Sequence, residues 1–269
     1  MKKELLRKLF TPFKTLSNKE QMTGLVLLVI GLLLLWMITA SHSALLPSPV
    51  EVLYSIPRMV TNYSLFTQLG KSLVFCFHAT IYAVMISLFF CYLSVIPLFR
   101  PLCEFMRKFR FLPSTGMGFL FMKVTVEMGG DITDQMFYMM VFGVTTFLID
   151  SLISISLSIG PADIAYCKSL RLNRWQMVKE LLIFGKASEI FAAAIQQFAM
   201  AWMLVSAIEN IFKTNGGIGV VLAESNKYLR MDQIIAVQII ILVTGTVCDY
   251  GLRSIRLWLF PQERLKVIK

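Results

Sequence analysis

The sequence predicts an all-α integral membrane protein with about six transmembrane helices and a cytoplasmic helical loop. Three observations carry that prediction. Of 269 residues, 57% are hydrophobic and only 16% are charged, against about 25% charged in ordinary soluble domains. Mean hydropathy is +0.69. The apolar residues also gather into blocks of membrane-spanning length. A net charge of +10 would suggest nucleic acid in a soluble chain. Here the basic residues lie between apolar blocks, where they orient helices, and nucleic-acid binding is discarded.

The first block, Met22 to Ala40, is 19 residues without a charge, enough to cross about 30 Å of hydrocarbon as a helix. A cleaved signal peptide is the competing reading, with Ala40 to Ala44 offering small residues. The 21-residue lead before the run is long for one, so a retained span is expected. Further spans are expected at Ser72 to Pro97, Phe111 to Val126, Gln135 to Ile159, Ala187 to Ile208 and Gln233 to Leu252. Lys123 interrupts the third. Charge placement argues for keeping it, because with six crossings 20 of the 26 basic residues fall on one side, the side bearing both termini. The expected organisation is a basic cytoplasmic segment 1–21, a membrane domain 22–260 and a cytoplasmic tail 261–269. Between the first two spans, Ser48-Pro49 followed by Val50-Glu51 reads as a helix start, with serine as cap and proline in the first turn. An amphipathic external helix is expected there.

The segment Gly160 to Lys186 is too polar to span and too rich in Leu, Ala and Met for a disordered linker. Two short helices with a bend near Asn173 would present a basic knob to the cytoplasm. A loop made basic by topology alone is the plainer alternative.

Within this segment, Lys168-Ser169-Leu170-Arg171-Leu172-Asn173-Arg174-Trp175-Gln176 resembles the coupling motif of ABC importer permeases of the nitrate, sulfonate and taurine type. Three further stretches resemble that family in order and spacing: Leu46 to Leu53, Phe99 to Glu104 leading to Phe111-Leu112-Pro113, and Thr214 to Leu222. The resemblance covers about residues 45 to 260. It implies a type I ABC importer permease fold in the bacterial cytoplasmic (inner) membrane, with its coupling loop at 161–182 and ATPase-coupling residues Asp163, Ala165, Tyr166, Cys167, Lys168, Ser169, Leu170, Arg171, Arg174 and Trp175. Its implied partners are ATP-binding subunits that use ATP and Mg, an extracytoplasmic substrate-binding protein, and a second permease copy or a paralogue. The chain itself would be no enzyme and would hold no cofactor. The motif is degenerate. Where the family has Glu-Ala-Ala, three residues and Gly, this chain has Ala165, Tyr166, Cys167 and Arg171, and Phe184 stands where the family has proline.

Intramembrane polar residues are the remaining candidates. Gln196, Ala199, Met203, Ser206 and Asn210 recur at spacings of 3, 4, 3 and 4 and share one helical face. Such a stripe lines a solute path or packs helices together, and both readings stand. Asp150 and Lys123 would serve the main rival, an ion-coupled secondary transporter. Asp249 is expected to pair with Arg253, and His78 to be a hydrogen-bonded packing residue. Five scattered cysteines suggest neither a disulfide framework nor a metal site, and no catalytic set or phosphate loop is recognisable.

Overall fold

The computed structural model describes residues 18–42, 46–213 and 216–262. Most of the two basic end segments, 1–17 and 263–269, therefore lies outside the described residues, as do Thr214 and Asn215 of the glycine-containing turn. Among the described residues every regular element is helical, and five helices are long and apolar enough to cross a membrane.

Helix α1 (Asn18–His42) is apolar all round, and none of its apolar stretch is buried against the rest of the chain. Its contact with the body includes the Trp36 indole, which donates to the Pro47 carbonyl at 3.2 Å. Helix α2 (Pro49–Tyr63) starts as expected. The Ser48 hydroxyl accepts from the Glu51 N–H at 3.3 Å while the Glu51 carboxylate accepts from the Ser48 N–H at 3.0 Å, a reciprocal cap that satisfies two otherwise orphaned donors. Its buried face, Val52, Ser55 and Met59, packs on the helices that follow the glycine turn.

Helix α3 (Leu65–Ser94) buries Ser72, Cys76, Ala79, Ala83, Ser87, Cys91 and Ser94 along one face. No side chain in that row is large, so the central helix can approach closely, the usual device where lipid provides no hydrophobic drive between helices. That central helix, Ile132–Leu157, is met at matching depths: Ser87 Oγ donates to the Thr145 carbonyl at 3.4 Å, and Ser94 Oγ lies 3.2 Å from Ser156 Oγ. Both contact positions advance together, so the two helices run parallel. The chain must therefore return to its starting end between them.

The return differs from expectation. Phe111 to Val126 is not a spanning helix. After α4 (Arg100–Lys108), residues Phe109–Phe111 and Ser114–Met117 form 3-10 turns, and only α5 (Gly118–Glu127) is α-helical. Its ten residues reach about 15 Å, half of what a crossing helix needs. The cause is local: Pro113 offers no N–H and holds Leu112 extended, at φ −85° and ψ 120°, and Gly116 and Gly118 follow. The segment still runs the length of the central helix, α6 (Ile132–Leu157). Arg107 bonds Ser154 at one end, Ser114 lies against Gly143 midway, and the Gln135 amide donates to the Gly118 carbonyl at 2.8 Å near the other. From Ser154 to Gln135 is about 28 Å along a helix. The six-helix expectation thus becomes five long helices and one broken passage. Within the broken stretch only Ser114 is buried, against α6, while Phe111, Leu112, Pro113, Thr115 and Gly116 are exposed.

Two short helices, α7 (Pro161–Ser169) and α8 (Arg174–Val178), lead through a π-helical turn (Lys179–Phe184) into α9 (Ala187–Phe212). Helix α9 packs antiparallel to α6, placing Phe198, Ala201, Trp202, Val205 and Ile208 in the core with Met136, Met139, Met140 and Val144. After the glycine turn come α10 (Ile218–Lys227) and α11 (Met231–Leu259). Trp202 Nε1 donates to the Ile241 carbonyl at 2.9 Å, and Arg256 bonds the Ser188 hydroxyl, holding α11 along α9. Several helices extend past the apolar blocks in the sequence, because polar residues at their ends continue the backbone ladder beyond the apolar part.

Candidate functional site

The segment after α6 folds on short-range signals. Pro161 opens α7, and the Asp163 carboxylate accepts from the Gly160 N–H at 3.1 Å, so Asp163 acts as a cap. At the other end the Arg171 N–H donates to the Lys168 carbonyl and the Leu172 N–H to the Cys167 carbonyl, at 2.9 and 3.2 Å. That is a Schellman ending, and its left-handed position is Arg171, at φ +57°. The resemblance places glycine there, the residue that adopts this conformation without strain. Asn173 caps α8, accepting from the Arg174 N–H at 2.7 Å, while its own N–H donates to the Gln176 side chain at 2.7 Å.

This helix-turn-helix is seated on the bundle by its underside. Leu182 is buried and packs with Cys91, Leu148 and Leu152, and Val178 joins them. Of the candidate residues only Cys167 is buried; Asp163, Ala165, Lys168, Ser169, Arg171 and Arg174 are exposed. Tyr166, Leu170 and Trp175 are 66%, 55% and 70% exposed. Tyr166 and Leu170, four residues apart, share a face of α7, and Ile164 is exposed as well.

The α9 stripe is divided. Gln196, Ala199 and Met203 face outward, Asn210 is half-buried, and Ser206 is buried with its hydroxyl donating to the Met203 carbonyl at 3.0 Å. Its outer part is therefore open to lipid or a partner, and Ser206 packs inside the chain.

Asp150 and Lys123, the rival's pair, are not brought together. Asp150 is held by Arg107, whose Nε donates at 2.7 Å, and by Arg110, which pins the start of the broken passage to α6. Lys123 is exposed and 4.0 Å from Glu127. Asp249 and Arg253 form the expected pair at 2.7 Å. His78 packs its ring against Tyr82 and Phe137, so its surroundings are aromatic, and no hydrogen bond to it is formed among the described residues.

The residue that the sequence reading misses is Glu209, 3% exposed near the end of α9. Its two carboxylate oxygens lie 2.7 and 2.8 Å from the Ser72 hydroxyl, and one accepts from the Gly219 N–H at 2.9 Å. Ser72 Oγ in turn accepts from the Ile218 N–H at 2.8 Å, and Gln68 accepts from the Gly217 N–H at 2.7 Å. The carboxylate thus sits at the positive N-terminus of α10 and ties α3, α9 and α10 together. Gly217, at φ +114°, and Gly219 are required by this approach: a Cβ on the first would strike the Glu209 carboxylate and on the second the Ser206 carbonyl. The signal was an acid at the far, otherwise apolar end of the helix, ten residues before a glycine.

No protein-family model matches the chain, and no curated protein does either.

Proposed function

We propose that this chain is the permease subunit of an ATP-binding-cassette importer. It forms an alternating-access path for a small solute, which the resemblance makes an anion such as nitrate, a sulfonate or taurine. The observation that carries the reading is the exposure of Tyr166, Leu170 and Trp175, with Lys168, Arg171 and Arg174, on a capped helix-turn-helix rooted in the bundle by Leu182. A permease without a nucleotide site of its own can use ATP only through a surface docked on another chain. This surface is the best formed for that purpose, and the length and polarity of the helices suit a conduit. On this reading the α7–α8 end is cytoplasmic and receives ATP-binding subunits, where ATP and Mg act. A substrate-binding protein delivers solute at the opposite end, and a second permease, identical or paralogous, completes the path in the bacterial inner membrane.

The test is gentle purification of the full chain with its native partners. A co-purifying ATPase is expected, and Leu170→Asp abolishes its association while the chain still inserts and stays folded. Burying a leucine stabilises an interface by about 1.5–3 kcal/mol, and an unpaired carboxylate there costs more than that gain. Normal association and uptake by Leu170→Asp return the segment to a basic loop set by topology. The second reading, an ion-coupled carrier, draws on the buried carboxylate Glu209; uptake that persists without any ATPase selects it.

A further inference from the structure

Away from the α7–α8 end, a groove of about 900 Å³ lies between the last turn of α1, helix α2 and the start of α11. Its volume is that of a small-molecule site, and its lining is amphipathic in an ordered way. Met37 from α1 and Met231 from α11 supply apolar wall, and Arg58, Arg230, Glu51 and Asp232 supply charge. The charges are not used up on one another. Among the described residues neither Arg58 nor Asp232 has an ion-pair partner. Arg230 reaches only the Tyr63 hydroxyl, at 3.5 Å, and the Tyr228 ring. One carboxylate oxygen of Glu51 is engaged by the Ser48 N–H. Among the described residues the groove is therefore lined by two guanidinium groups and two carboxylates that form no ion pair with one another.

The wall that α1 contributes continues down that helix as an unbroken apolar surface, with Val26, Ile30, Leu33, Leu34 and Met37 all exposed. An occupant can thus hold its charged part in the groove and lay hydrocarbon along α1.

The geometry points to a site for a zwitterionic headgroup of the phosphoethanolamine type, its oxyanion on Arg58 and Arg230 and its ammonium on Asp232 and Glu51. A guanidinium fork suits a phosphate, and a bare ammonium places donors on a carboxylate where a methylated one cannot. The same headgroup chemistry could arrive as a membrane aminophospholipid or as a free soluble zwitterion. The apolar path along α1 favours the lipid.

The test uses the delipidated full chain in micelles, with native mass spectrometry reading bound lipid. Titrants are phosphatidylethanolamine, phosphatidylglycerol with the same acyl chains, and soluble phosphoethanolamine. The wild-type chain is expected to hold phosphatidylethanolamine about tenfold more tightly than phosphatidylglycerol, the scale of one favourable charged contact. Arg58→Gln removes most of that binding, and Asp232→Asn abolishes the preference while phosphatidylglycerol binding persists. Unchanged melting shows that the variants are folded, and the wild-type comparison needs no variant. Displacement of the lipid by equimolar phosphoethanolamine supports the zwitterion site and overturns the lipid as its source. Equal retention of the two lipids by the wild-type chain, or undiminished phosphatidylethanolamine binding in both variants, overturns the site.

Discussion

Replacing Glu209 with leucine tests whether the buried carboxylate holds three helices together or merely occupies space among them. In the native chain it accepts from the Ser72 hydroxyl and from the Gly219 N–H, with the Ile218 N–H behind Ser72. Leucine is close in volume and accepts nothing. Two donors, Ser72 Oγ–H and Gly219 N–H, are then left in a site where the carboxylate was 3% exposed, and each orphan costs about 1–3 kcal/mol. Against this stands relief from desolvating the carboxylate, which can be several kcal/mol when a buried charge is poorly supported. Here the charge has hydrogen bonds and a helix N-terminus, so the orphaned donors dominate, and a net loss of about 3 kcal/mol is expected. In a chain of this size that lowers the melting temperature by about 6–12 °C. Glutamine keeps an oxygen for Gly219 and should cost only about 1 kcal/mol. The assay is thermal unfolding in nanodiscs, paired with hydrogen exchange at the Ile218 and Gly219 amides. Melting of Glu209→Leu at or above the wild-type temperature, with both amides still protected, would refute the reasoning.

Arg171→Gly relieves a left-handed residue at φ +57° and should stabilise the end of α7 by about 1 kcal/mol, read as slower exchange of the Leu172 amide; faster exchange would mean that the Arg171 side chain holds the turn. Arg174→Glu should weaken ATPase association less than Leu170→Asp and lose its effect as salt rises, because a rim charge is screened over about 8 Å; binding measured at two salt concentrations checks this. Gln196→Leu on the outward part of the stripe should lower transport while leaving assembly intact, and joint loss of both would assign the stripe to packing. In a cysteine-free background, Asn62→Cys and Glu224→Cys should react with an impermeant reagent in intact cells and Asn173→Cys should not; labelling at 173 from outside would overturn the orientation.

Much of the architecture was legible because its causes are local. Long uncharged blocks can only be helices in lipid, since every backbone group must find its partner within the segment. The Ser48-Pro49 start, the Asp249–Arg253 pair and the bend before Asn173 are set by residues within four positions of one another. The third crossing was expected from the division of basic charge, and the broken form of that segment was hidden. Whether Pro113 breaks a helix or kinks it depends on what the stretch packs against, and the contact of Ser114 is with Gly143, about thirty residues later.

The functional chemistry divides in the same way. From the sequence alone came the membrane class, the exposed basic helix-turn-helix and the residues within it, because composition and capping act over short distances. Tertiary structure alone decided that Tyr166, Leu170 and Trp175 face outward while Cys167 faces in, and that Asp150 is spent on Arg107 and Arg110 rather than on Lys123. It also joined Glu209 to Ser72, 137 positions away. A side chain's burial and its charge partner depend on which distant helix lies against it, and no local pattern encodes that packing.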